Sequence, residues 1–268
     1  MTSRGMTRRE RMQERVTRMA QAPRSTVEAA VQPLRKRPKS LPWPLNLYQT
    51  YVGKKWVMAI TGVIGLGYVA GHMFGNLKIY LGPEEINHYA EGLRTVGYPL
   101  VPEKFLLTIA RAVLALALVL HLHAAYSIWS RNRKARPVGY QSRRDYIAAD
   151  WASRSMLWTG PIILLFIAFH LADLTWGVEA VNSEFVAGEV HHNVVSSLSR
   201  PPIAAIYVVA NLALGIHLYH GAWSLFQSLG VNNPQINQGR RIFAALFALV
   251  IVAGNISFPL AVLMGIVE

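Results

Sequence analysis

Five runs of apolar residues, at about 56–80, 104–129, 156–177, 202–228 and 241–266, constrain this chain more than anything else in it. Each reaches the roughly 20 residues that a membrane-spanning helix needs. A helix satisfies all its backbone hydrogen bonds within the segment, which is what hydrocarbon demands. The connections between the runs alternate in charge. The N-terminal stretch, the segment Arg131-Asn-Arg-Lys-Ala-Arg136 through Arg154, and the turn at Arg240-Arg241 are basic. The loops at 81–103 and 178–201 instead carry Glu84, Glu85, Glu91, Glu179, Glu184 and Glu189. Positively charged connections stay in the cytoplasm, so the N-terminus is expected inside and the C-terminus outside a multi-pass protein of the cytoplasmic (inner) membrane. The expected fold class is an all-α integral membrane protein, five transmembrane helices forming a bundle, with no internal repeat.

Two segments follow from the same pattern. Residues 1–45 read as a basic cytoplasmic tail without an apolar signal-peptide core. Met6 to Met19 could form a basic surface helix, although a solvated, disordered tail is the preferred expectation. Residues 46–268 hold the membrane domain, with Trp43, Tyr48, Tyr51 and Trp56 as candidate interface anchors beside it. The net charge of +13 does not indicate nucleic acid, because the basic residues sit in the tail and the short loops. With no cysteine the chain has no disulfide, no thiolate metal site and no covalent haem attachment.

Polar residues inside the runs are where chemistry is to be sought, since burying them in a bilayer is costly. Six of the nine histidines lie there. A helix rises about 1.5 Å per residue, so position converts to depth. His72 lies about 24 Å in from the inner side on the first helix, and His170 about 21 Å in on the third. Helices two and four enter from outside and carry His123 and His217 about 22–28 Å toward the inner side. The result is an outer pair and an inner pair, each drawn from two helices, the pattern of two stacked six-coordinate haems in a bundle. Taken singly, each of these histidines could equally be hydrogen-bonded to a neighbouring helix. His121 and His123 point about 200° apart on a helix, so only one can face a given cofactor, and depth alone does not choose. His220 shares the face of His217 and could support the ligand, bond a propionate or simply bridge helices. His88, His191 and His192 fall in outer loops and are expected to be solvated.

Three other groups are candidates. Arg111 lies within the second helix near its outer end and calls for an anion, a propionate or a quinone carbonyl, or for snorkelling to the interface. Asp173, three residues after His170, is the only carboxylate well inside a span. Together with Trp176 these two mark the expected quinone region. Gly67, Gly71 and Gly75 form a small-residue stripe beside His72, expected mainly to pack helices and equally able to leave room for a porphyrin edge.

Several local sequences then become familiar. Lys55-Trp-Val-Met-Ala-Ile-Thr-Gly62, Gly71-His-Met-Phe-Gly-Asn-Leu77 and Gly82-Pro-Glu-Glu-Ile-Asn-His-Tyr-Ala90 resemble the opening of the single-chain cytochrome b membrane anchor of succinate dehydrogenase and fumarate reductase. His123-Ala-Ala-Tyr126, Phe169-His170-Leu171 and His217-Leu-Tyr-His-Gly-Ala-Trp-Ser224 leading to Leu229-Gly230 fit as well, and the likeness covers about residues 50–266.

The resemblance implies a five-helix anchor holding two b haems, docked to a flavoprotein subunit that oxidises succinate and an iron–sulfur subunit that wires it to the membrane. One axial histidine would come from each of the first four helices: His72 and His170 for the distal haem, His123 and His217 for the proximal one. The Ala-Ala-Tyr that follows His123 is what selects it over His121. Electrons would pass from the iron–sulfur partner through the inner and then the outer haem to a quinone, menaquinone or ubiquinone, near the outer end. Some relatives carry a glutamate near the fourth-helix ligand; here Asn211-Leu-Ala-Leu-Gly-Ile-His217 has no carboxylate, so a proton path of that kind is not implied. The long basic tail also exceeds the family's usual start. Competing readings keep the anchor but give it one haem, none, or an iron cluster completed by partner cysteines. A purely structural anchor and a histidine-relay proton-coupled transporter are further alternatives.

Overall fold

The computed structural model describes residues 41–135 and 151–268, together with Arg9, residues 12–14 and Thr17. Most of the tail on which the 1–45 expectation rests, and the middle of the basic segment at 136–150, lie outside the described residues. The chain divides into two units, Met1–Pro42 and Trp43–Glu268. The second unit contains the helices described below.

Its elements are α1 (Leu45–Gln49), α2 (Tyr51–Asn76) continued by a 3₁₀ turn (Leu77–Leu81), α3 (Pro83–Thr95), α4 (Phe105–Lys134) and α5 (Trp151–Leu174). After these come α6 (Val190–Leu198), α7 (Pro201–Ser228), a short 3₁₀ turn (Pro234–Ile236) and α8 (Asn237–Leu263). No strand occurs among the described residues. The protein is an all-α membrane bundle: α2, α4, α5, α7 and α8 provide five helices long and apolar enough to span a bilayer. Thr50 starts α2 by accepting the Gly53 backbone N–H at 2.8 Å, the usual remedy for an orphaned N-terminal donor. Helix α4 continues past the apolar run to Lys134, because its hydrogen-bond ladder does not stop where the apolar residues do. Arg131, Arg133 and Lys134 in its last turn suit the negative end of the helix dipole.

Helix α7 is the centre of the bundle, packed on α2, α5 and α8, while α4 packs on α2. Its contact side is made of small residues, among them Ala204, Ala210, Ala213, Gly215 and Ala222, which let helices approach where lipid offers no hydrophobic drive. Gly215 is required: a Cβ there would stand 2.4 Å from Cγ2 of Val252 on α8. A Cβ at Gly254 on α8 would likewise stand 2.5 Å from the Met73 sulfur of α2. Between α7 and α8 Asn255 donates to Asn211 Oδ1 at 2.9 Å. The stripe on α2 does not pack helices as expected. Gly75 meets the Tyr89 ring, but Gly67 and Gly71 have open space beside them, because no helix of the bundle covers that side of α2.

The two acidic loops fold into a cap over one end of the bundle. Asn87 on α3 donates to Glu189 at 2.8 Å and accepts the backbone N–H of His191 on α6 at 3.0 Å. Asn193 closes the loop before α6 by bonding both backbone groups of Val186, each at 2.8 Å. His88 and His192 are exposed, as expected, but His191 is not: it is 6 % exposed. The docking of α6 against α3 buries it, which pushes its imidazole below the usual range, with the neighbouring His192 adding to the effect. The opposite end is basic. There Tyr51 donates to Asn132 at 2.7 Å, Arg131 to the Gln49 carbonyl at 3.2 Å, and the Lys54 ammonium sits 4.1 Å from the Tyr48 ring centre. Arg240 is buried and bonds the Val231 carbonyl and Asn237 Oδ1.

Candidate functional site

Two histidine pairs bridge helices that do not otherwise pack closely. Toward the cap, His72 on α2 and His170 on α5 stand with ring centres 5.8 Å apart. Toward the basic end, His121 on α4 and His217 on α7 stand 6.3 Å apart. Neither α2 with α5 nor α4 with α7 forms an extensive backbone contact among the described residues. The imidazoles reach across two gaps.

The second pairing departs from the sequence reading. Depth allowed either His121 or His123, and the residues following His123 favoured that one. In the structure His123 turns away: its Nδ1 lies 2.5 Å from the Tyr48 hydroxyl, outside the gap facing α7. The cause is the helix period, which sets residues two apart on opposite sides of α4. The side holding His121 faces α7, and the side holding His123 faces the α1 segment.

Each of the four rings is engaged at Nδ1, and the partners decide which nitrogen is left. Thr61 donates its hydroxyl proton to the Val57 carbonyl at 2.7 Å, so its oxygen is the acceptor for His121 Nδ1 at 3.1 Å. Thr159 is committed in the same way to the Ser155 carbonyl at 3.2 Å and meets His217 Nδ1 at 3.3 Å. Tyr207 donates to Asp173 Oδ2 at 2.7 Å and meets His170 Nδ1 at 3.2 Å. His72 Nδ1 is 3.0 Å from the Asn76 amide. For the three rings backed by hydroxyls the proton rests on Nδ1, which leaves Nε2 as an unprotonated lone pair. Oriented rings with Nε2 open are the arrangement of ligating histidines.

The spacing fits a shared ion. An imidazole–metal bond of about 2 Å on each side places two ring centres roughly 6 Å apart. Among the described residues no group of three or more His, Cys, Asp or Glu side chains converges. Each pair could therefore offer two imidazoles to a group that brings the rest of its own ligands, as an iron porphyrin would. The open sides of Gly67 and Gly71, next to His72, leave room for the edge of such a ring.

The remaining candidates separate. His220 stacks at right angles on Trp223, ring centres 6.2 Å apart. The Arg241 guanidinium lies 4.7 Å from that indole, so His220 sits at the basic end and outside the pair. Arg111 is exposed on α4 within electrostatic reach of Tyr68, whose ring is 5.4 Å from that of His72. Asp173 is wholly buried, its carboxylate taken by Tyr207, by Ser197 at 2.6 Å and by Arg200 at 3.5 Å. Trp176 is 63 % exposed. The hydroxyl partners Thr61, Thr159 and Tyr207 went unnoticed in the sequence, although the depth conversion used for the histidines applies to them too.

A family model described as the succinate dehydrogenase/fumarate reductase transmembrane subunit matches residues 132–256. Over these residues, a little under half of its length, the chain is similar to that family. The match takes in α5, α6, α7 and most of α8, and with them His170 and His217, one member of each pair. No curated protein sequence and no solved structure matches the chain.

Proposed function

We infer that this chain is a membrane anchor that holds two b-type haems, one ligated by His72 and His170 and the other by His121 and His217, and passes electrons to a membrane quinone. The observation that carries the reading is the pairing of four imidazoles from four helices across two gaps, three of them held at Nδ1 by committed hydroxyls. When bound, such groups supply one-electron carriage between the two faces of the membrane.

The chain's own part is positional. It fixes the ring orientations, keeps water from the gaps and places basic residues at one end. That end, with Arg131, Arg133 and Lys134, is the cytoplasmic one in this reading and receives the iron–sulfur and flavoprotein subunits. The capped end lies outside, and quinone is reduced near it. Arg111, within electrostatic reach of Tyr68, is the cation for a propionate or a quinone carbonyl in this reading.

The test is haem quantified per chain in the purified complex by the pyridine haemochrome method, with a reduced-minus-oxidised spectrum. Two haems with b-type bands are expected. Iron without porphyrin would replace the haems by a cluster, and neither would leave a structural anchor.

A further inference from the structure

The two histidine pairs are backed differently. At the pair near the basic end, both Nδ1 atoms rest on threonine hydroxyls that give their protons to backbone carbonyls of their own helices. At the pair near the cap, His170 rests on Tyr207, and Tyr207 gives its proton to a carboxylate. That carboxylate, Asp173, is the most deeply buried acidic group among the described residues, at 0 % exposure. A buried charge is tolerated only when paired and hydrogen-bonded, since desolvating it costs on the order of several kcal/mol. Here Ser197 donates to it and the Arg200 guanidinium stands beside it, itself anchored on the Val181 carbonyl at 2.7 Å. Tyr207 is fixed further by Phe166, whose ring meets it at right angles with centres 5.0 Å apart.

Fold stability alone gives no reason for this cluster. A hydrophobic trio of similar size is often as stable as a buried ionic one. What the cluster accomplishes is local: a charge-assisted bond draws the phenol proton away, which makes the Tyr207 oxygen a stronger acceptor for His170 Nδ1–H. A stronger acceptor on one ring nitrogen raises the basicity of the other.

We propose that Asp173, acting through Tyr207, is a positioning residue that sets the ligand strength of His170 and thereby lowers the potential of the metal centre held at the cap end relative to the same site without this chain of bonds. The proposal rests on the haem reading above. Asp173 touches neither His170 nor the gap. Its influence passes through the phenol.

The experiment is a potentiometric titration of the b-type spectrum in the intact complex, with EPR of the oxidised form. The two centres are told apart by His72→Ala and His121→Ala. Tyr207→Phe is expected to raise the midpoint potential of the centre lost in His72→Ala and leave the other unmoved. Asp173→Asn should move it the same way by less, since an amide oxygen still accepts from the phenol. Thr159→Val is expected to move only the other centre. Selective loss of the cap-end centre in Tyr207→Phe or Asp173→Asn, with the other retained, also supports the proposal. Equal movement of both centres, loss of both, or no movement of either would overturn it. A wild-type complex without b-type bands would instead overturn the haem reading itself.

Discussion

An imidazole has two nitrogens, and what one of them bonds determines what the other can do. That rule alone does not separate His121 from His123, since each has a hydroxyl at Nδ1; the direction in which each ring points does. His121 has Thr61 at one nitrogen and His217 across the gap. His123 has its Nδ1 on the Tyr48 hydroxyl, and burial raises that phenol above its ordinary pKa, so it stays a neutral donor or acceptor at physiological pH. That histidines of two helices would meet at the depth of the basic end was legible because depth along a helix is fixed by its rise, although the expected His123–His217 pair is replaced by His121–His217. Which of two neighbours faces inward was not, because that depends on the direction in which α7 lies, and tertiary packing alone sets that. His121→Ala is expected to remove one of two haems from the purified complex, and His123→Ala to leave both in place. Haem per chain in the two variants checks this, and the reverse result would return the ligand to His123.

Among the elements, the five spans could be read in the sequence because apolar length is an absolute requirement of the bilayer. Their neighbours could not, because inside lipid all faces of a helix are apolar and no stripe marks the contact side. Small residues mark it instead, and they mislead when read alone: the Gly67–Gly71 stripe borders open space, whereas Gly215 lies where α7 and α8 approach so closely that a Cβ would stand 2.4 Å from Val252. Overpacking such a crossing costs about 1–3 kcal/mol. Gly215→Ala should therefore lower the thermal midpoint of the subunit in detergent by several degrees, and adding Val252→Ala should restore most of the loss. A double variant no better than the single one would mean that the two helices do not meet at this point. The capping loops show the same limit. Their acidic character placed them together on one side, but nothing in the sequence announced that Asn87 would lock α3 to α6 and bury His191.

For the molecule as a whole, orientation decides which pair lies nearer the partner subunits, and it rests on where the basic residues gather. Arg131, Arg133 and Lys134 end α4, and Arg240 and Arg241 begin α8, all at one end of the bundle. Glu84, Glu85, Glu184 and Glu189 sit at the capped end with α3 and α6. Retention of Lys and Arg on the cytoplasmic side is a property of insertion, not of the folded bundle, so it is tested on cells. The absence of cysteine makes that test clean, because a single introduced thiol has no background. Ser183→Cys, in the exposed loop before α6, should react with a membrane-impermeant maleimide added to intact cells. Arg133→Cys, at the exposed end of α4, should react only after the membrane is opened. With that pattern, and on the haem reading proposed above, an electron entering from a cytoplasmic partner would meet the His121–His217 pair first and the His72–His170 pair second, and the carboxylate-backed ligand would belong to the centre nearer the quinone. The opposite labelling would invert the order and put the Asp173 cluster at the docking face, where Arg200 and the acidic cap, not the basic helix ends, would have to receive the partner.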